Sequence, residues 1–147
     1  MTLARTALRT LAAFPLRVVL TLTARHPREE LGPVPANARL EEFVSHSEVL
    51  KRCRLLVSHA GHGVVTNALF YGVPMVLVPW DRDQPGVAAR AAALGVAEVI
   101  ARHDLTEQLL SAAIHRVLAK RRLPGKCGTD RRPHASARRR SAGTCTH

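Results

Sequence analysis

Two hydrophobic periods alternate along the first 119 residues. Residues 17–23, Arg-Val-Val-Leu-Thr-Leu-Thr, form an unbroken apolar and β-branched run, the pattern of a strand covered on both faces. Before it, Thr2 is placed to cap a helix with Leu3, Ala7, Leu8 and Leu11 on one face, stopped by Pro15. After it, a Pro-rich loop over 26–36 leads to an extended piece over 38–44. Ser45 and Glu48 have the spacing of a capping box, opening a short helix that ends near Cys53. Residues 55–58 read as an apolar strand, 59–63 as a turn, and 64–71 as a helix closed by Gly72. Residues 73–78 read as a buried strand with Pro74 tolerated near its start. A polar loop over 79–85 precedes an Ala-rich helix over 86–94, with Gly95 just past its end. A last strand covers 97–100, and Asp104 with Glu107 opens a helix running to Ala119. Apolar strands alternating with helices through short loops predict a doubly wound parallel sheet with helices on both faces.

Composition divides the chain in two. At 147 residues, 46% of them hydrophobic, it holds one domain with a packed core. Only 3% are aromatic, so Leu, Val and Ala fill that core. The net charge of +11 is uneven: residues 120–147 carry +8, and the first 119 only +3. The segment 120–147 is rich in Arg, Gly, Thr, Ser and Pro and is expected to be a disordered basic tail. No apolar run is long enough for a membrane span, since Pro15 and Arg17 interrupt the best one. Cys53, Cys127 and Cys145 give no disulfide framework, which favours a cytoplasmic location. Residues 1–28 carry five Arg and no acid, a composition shared by transit peptides and by the helix and strand read above.

The densest chemical signal is Val-Ser-His-Ala-Gly-His-Gly-Val-Val-Thr-Asn-Ala-Leu over 57–69. A buried strand runs through a Gly-rich turn into a helix, and ligands in doubly wound sheets sit at such strand ends. Gly61 and Gly63 allow a tight turn and close approach. The helix start offers free N–H donors and partial positive charge, and His59 adds a donor. That set suits a phosphate or diphosphate, although tight strand–helix turns also need glycine for packing alone. His59 and His62 have no third metal ligand nearby in sequence, so no metal is expected. A second strand end carries Asp83 and Gln84, an acid and an amide able to bind hydroxyl groups or to cap the following helix.

Together, His-Ala-Gly-His-Gly, then Gly-Val-Pro-Met-Val-Leu-Val-Pro, then Asp-Gln resemble the donor-binding signature of family 1 (UDP-glycosyltransferase-like) glycosyltransferases, and most of all the actinobacterial macrolide or antibiotic type. The resemblance covers about residues 2–119. It implies a Rossmann-like C-terminal half of a GT-B fold, in part, beginning after the first strand of that domain. The implied ligand is a nucleotide-diphosphate sugar, UDP- or dTDP-linked, as donor substrate, with no cofactor. His59 would contact the diphosphate, with Gly61, Gly63 and the amide of Val64 cradling it. Phe43 and Val44 stand where the family holds the base, Asn67 where it holds the ribose hydroxyls, and Asp83 with Gln84 where it holds the sugar.

Departures from the family pattern are equally specific. Ser45 and His46 replace a common Pro-Gln, Val64 a hydroxyl residue, Asn67 a Glu, and Val87 an Asn that often follows Asp-Gln. Each lost neutral hydrogen bond is worth about 0.5–1.5 kcal/mol. The acceptor-binding domain and its catalytic His have no counterpart in these residues, so no catalytic residue is named. The expectation is the donor-binding half of an inverting hexosyltransferase, a fragment inactive alone. One alternative is the donor subunit of a two-chain enzyme, partnered by an acceptor-binding chain. Another is a non-catalytic binder acting by charge through the tail, without specific nucleic-acid recognition. The tail's composition also matches a shifted reading frame in a GC-rich gene.

Overall fold

A computed structural model describes residues 2–22 and 28–120. The expected tail lies outside the described residues apart from Lys120, as do Thr23 and residues 24–27.

The chain forms α1 (Leu3–Leu11), β1 (Val18–Thr21), a 3-10 turn (Arg28–Leu31), β2 (Ala38–Glu41), α2 (His46–Leu50), β3 (Leu56–Ser58) and α3 (His62–Phe70). It continues through β4 (Met75–Leu77), α4 (Gln84–Ala93), β5 (Ala97–Val99), a second 3-10 turn (Arg102–Asp104) and α5 (Glu107–Ala119). All strand pairing is parallel, as the alternation predicts, but in two sheets. β1 pairs with β2, and β4 lies between β3 and β5.

β4 organises the core because every residue from Val73 to Val78 is buried. Its side chains alternate between two apolar clusters. Met75 and Leu77 join Leu50, Val65, Ala68, Val87, Ala88 and Ala91 beneath α2, α3 and α4. Val76 and Val78 join Ala7, Leu11, Leu110, Ala113, Ile114 and Val117 beneath α1 and α5. This is the expected double cover, and a strand so enclosed reads as a continuous hydrophobic run. β1 differs from the expectation. Val18 and Leu20 are half-buried, but Val19 is 46% exposed. Its apolar run reflects one covered face and one open face.

Helix ends follow local rules in some places and depart from them in others. Gly72 and Gly95 adopt φ of 64° and 71°, as the sequence predicts for residues just past α3 and α4. Gly72 N–H donates to the Leu69 carbonyl and Val73 N–H to that of Ala68; Gly95 and Val96 repeat this with Ala92 and Ala91, the paired bonds of a Schellman motif. The Ser45–Glu48 capping box does not form. Ser45 Oγ bonds Ser47 Oγ at 3.0 Å, and Glu48 instead pairs with Lys51 at 2.6 Å. Asp104 does not cap α5 either, because it closes the 3-10 turn by donating its N–H to Ala101. Thr106 takes the cap, its Oγ1 accepting from Leu109 N–H at 3.2 Å. Thr2 stands at the cap of α1 but contributes its carbonyl, which accepts from Thr6 N–H and Oγ1.

Lys120 belongs to the folded body. With Arg116 it closes on Glu98 of β5, at 2.8 and 3.2 Å. The Lys120 hydrogen bond is the main cause holding the Glu98 carboxyl below its usual 4.5, against some desolvation that raises it, with Arg116 helping. A depressed carboxyl stabilises the fold above the unfolded-state value and loses that contribution as pH falls through the folded one. Glu98→Gln should therefore lower Tm at pH 7 by about 2–4 °C, for about 0.5–1 kcal/mol from partly exposed pairs. The gap should close below the usual glutamate range. Equal melting curves at pH 7 would show that these pairs contribute nothing.

Candidate functional site

β3 and β4 lie in register, Ser58 opposite Leu77, so the loops leaving their carboxyl ends are neighbours. Val78 N–H donates to the Ser58 carbonyl at 2.8 Å just as the strands part. The parallel sheet thus places the loop of His59, Gly61, Gly63 and Val64 and the loop of Asp83 and Gln84 at the same end of adjacent strands. Among the described residues, the only non-glycine residues with left-handed φ are Ala60 (67°) and Arg82 (57°), one in each loop. Strain of this kind is concentrated at functional sites.

The first loop turns differently from the sequence expectation. Neither Gly61 nor Gly63 has a positive φ; the turn is made by Ala60, fully buried. Ser58 supports it, its Oγ accepting from Ala60 N–H at 3.3 Å. A Cβ on Gly61 would lie 3.2 Å from His59 Nε2, so the exposed imidazole would have to give by a few tenths of an ångström. The imidazole therefore lies across Gly61, at the entrance to α3. Gly61 is the extended residue ahead of the helix and contributes no side-chain cap. The first intrahelical bond is Val65 N–H to the Gly61 carbonyl at 3.1 Å. The amides of His62, Gly63 and Val64 precede it and have no acceptor within the helix. A Cβ on Gly63 would meet nothing within 4 Å. α3 begins at His62, two residues earlier than the sequence suggests, which adds His62 and Gly63 to its first turn. No acidic side chain occupies that turn, so its partial positive charge is not neutralised locally. Asn67, half-buried, lies one turn on from Gly63 and shares its face.

The second loop is held by Gln84. Its Oε1 accepts from Trp80 N–H at 2.9 Å and from Asp81 N–H at 3.4 Å. The carboxamide oxygen is thereby committed to the loop, and Nε2 is the group left to donate. Asp83 precedes α4 but makes no side-chain cap bond and is exposed. The capping alternative for Asp83 thus fails in its side-chain form. Pro85 sits inside the first turn of α4, where its missing N–H costs nothing. Two features have no signal in the sequence. Trp80 is roofed by the Arg102 guanidinium, 4.3 Å from the ring centroid, and its Nε1 is buried without a partner.

Phe43 and Val44 follow β2, in the other sheet. Phe43 is 87% exposed and Val44 half-buried. They connect to the site through α2, which packs against α3. A shallow depression lined by Thr2, Arg5, Glu29, Glu30 and Gly32 lies apart, at the amino end of α1. Among the described residues no three His, Cys, Asp or Glu gather as a metal-binding group, and no helix is long and apolar enough to cross a membrane.

Comparison with known proteins agrees with the fold. Residues 5–132 match the family of the erythromycin biosynthesis protein CIII-like C-terminal domain. The chain is 36% identical over 112 residues to 4'-demethylrebeccamycin synthase of Lentzea aerocolonigenes, covering 76% of this chain and 26% of that protein. It is 32% identical over 117 residues to demethyllactenocin mycarosyltransferase of Streptomyces fradiae, covering 80% and 25%. Among solved structures, glycosyltransferase VinC in complex with dTDP superimposes with a TM-score of 0.71 at 37% identity, covering 82% of this chain and 30% of that one. The glycosyltransferase of kitacinnamycin gives a TM-score of 0.74 at 31% identity, covering 82% and 31%. The chain thus spans about a quarter of the length of these curated relatives. It belongs to the erythromycin biosynthesis protein CIII-like C-terminal domain family, the Rossmann-like C-terminal half of GT-B glycosyltransferases.

Proposed function

We propose that this domain binds a nucleoside-diphosphate sugar as the donor half of a glycosyltransferase. One observation carries the reading: free amides at the start of α3, open space over Gly63 and the His59 ring across Gly61 converge at one strand end. Amide donors with an unneutralised helix dipole suit a diphosphate. The uncommitted Asp83 carboxylate and Gln84 Nε2 supply an acceptor and a donor for sugar hydroxyls. Phe43, a large exposed ring, is available to stack on a base, with Val44 beside it and Asn67 toward the ribose. The dTDP bound to VinC supports the ligand class. Transfer to an acceptor hydroxyl needs a general base within hydrogen-bond reach of it, and a second, acceptor-binding domain or chain would supply that base.

The test is calorimetric titration with UDP and dTDP beside UMP and dTMP. If the α3 amides and His59 hold the second phosphate, each diphosphate binds roughly tenfold or more tightly than its monophosphate, since one charge-assisted bond is worth about 1.5–3 kcal/mol. Equal affinities would overturn the reading.

A further inference from the structure

Strand order brings a third loop to the same end of the sheet. Ile100 N–H donates to the Leu77 carbonyl at 2.9 Å, so β5 stays bonded to β4 until both strands end. The second 3-10 turn follows β5 there, and its Arg102 guanidinium lies over the Trp80 ring at 4.3 Å. A cation on the face of an indole is attracted by the ring quadrupole. Among the described residues Arg102 makes no ion pair, since its neighbour Asp104 faces His103 instead, at 3.5 Å. The loop beneath the guanidinium is costly to hold. Arg82 is left-handed at φ 57°, and Trp80 Nε1 is buried with no acceptor. Each raises the energy of this conformation, so the loop depends on contacts from outside its own backbone. Gln84 Oε1 supplies one by accepting from Trp80 N–H at 2.9 Å and from Asp81 N–H at 3.4 Å. Arg102 supplies the other. The two grip the same residue, one by its backbone and one by its ring.

We propose that Arg102 is a positioning residue for recognition of the donor sugar, acting through Trp80 on the Gln84 carboxamide. The role rests on the donor-binding function proposed for the domain. While Trp80 N–H holds Gln84 Oε1, the amide group is fixed and Nε2 is presented as a donor to a sugar hydroxyl. If Trp80 shifts, the oxygen loses its donor and the carboxamide turns, so it must be ordered again each time a sugar binds. Holding the group in its binding orientation beforehand removes that ordering cost. Arg102 does this without touching the ligand. The free amides of α3 belong to the loop that leaves β3 and do not depend on Trp80. The effect is therefore confined to the sugar and spares the diphosphate.

Trp80 is the chain's single tryptophan, so its fluorescence reads this loop alone. The experiment compares the full chain with its Arg102→Gln and Arg102→Lys variants. It measures acrylamide quenching of that fluorescence and calorimetric affinity for UDP, dTDP, UDP-glucose and dTDP-glucose. In Arg102→Gln the expected result is easier quenching, with the sugar nucleotides weakened roughly two- to fivefold, the scale of one exposed cation–π contact, and UDP and dTDP unchanged. Arg102→Lys keeps a cation for the ring and retains most of both properties. Unchanged quenching or unchanged sugar-nucleotide affinity in Arg102→Gln overturns the proposal, as does an Arg102→Lys variant that behaves like Arg102→Gln. Equal weakening of diphosphates and sugar nucleotides also overturns it, and would put Arg102 on the phosphate. A native protein that binds UDP and dTDP no better than UMP and dTMP defeats the donor-binding reading itself. One that binds the diphosphates but gains nothing from the attached glucose overturns this proposal alone.

Discussion

Ala60→Val lowers the unfolding free energy by about 3 kcal/mol and Tm by about 10 °C, the largest stability loss expected of a single methyl-scale change here. Two costs combine. Ala60 is fully buried at φ 67°, a conformation in which a β-branched residue is a genuine outlier. The added methyls also enter a space lined by the cluster of Val65, Ala68 and Leu77, where overpacking costs about 1–3 kcal/mol. Ala60→Gly is the matching control. It relieves the left-handed strain but gives up a buried methyl and loosens the unfolded chain, so it stays within about 1 kcal/mol of the native protein. If thermal melts place the Ala60→Val and Ala60→Gly variants together, the strand-to-helix turn is not built on Ala60 as described.

His59→Ala acts on binding and leaves stability nearly untouched. The side chain is exposed, and such surface truncations change stability by about 0.5 kcal/mol or less. Its Nε2 lies against Gly61 at the amino end of α3, where a bound diphosphate would meet it. Losing one charge-assisted hydrogen bond of about 1.5–3 kcal/mol weakens UDP or dTDP binding about 10- to 150-fold. Calorimetry with a parallel thermal melt separates the two effects. Unchanged affinity would remove His59 from the phosphate site, and a large drop in Tm would make it a structural residue.

The legible and illegible parts of the sequence divide along a physical line. β4 is readable because each of its residues is buried, so its hydrophobic run maps directly onto burial. Gly72 and Gly95 are readable because closing a helix needs a left-handed residue at one fixed offset. Capping is harder because several oxygens compete over a few residues. Asp104 and Ser45 have the right spacing, but a 3-10 turn claims the first and Lys51 draws Glu48 from the second. The two-sided cover expected of β1 fails because an apolar run does not say whether a neighbour covers each face, and Val19 is open. In the candidate site, the strand ends and their residues are readable from motif order. The reasons behind individual residues are not, since Ala60, rather than either glycine, makes the turn. The Gln84 latch and the Arg102 roof on Trp80 join residues through tertiary contact that carries no local pattern.

Gly63 separates a ligand requirement from a folding requirement most cleanly. Its φ is not left-handed, and a Cβ there meets no protein atom within 4 Å. Gly63→Ala should therefore preserve or raise stability, by up to about 1 kcal/mol for replacing glycine in a helix. The same methyl would occupy the space that a diphosphate needs to reach the α3 amides. The deciding measurement is calorimetric titration of UDP and dTDP into the native and Gly63→Ala proteins, with Tm recorded for both. A site at the start of α3 predicts an equal or higher Tm together with affinity reduced roughly tenfold or more, the cost of about one lost bond to the phosphate. Undiminished affinity in a well-folded Gly63→Ala protein would contradict it.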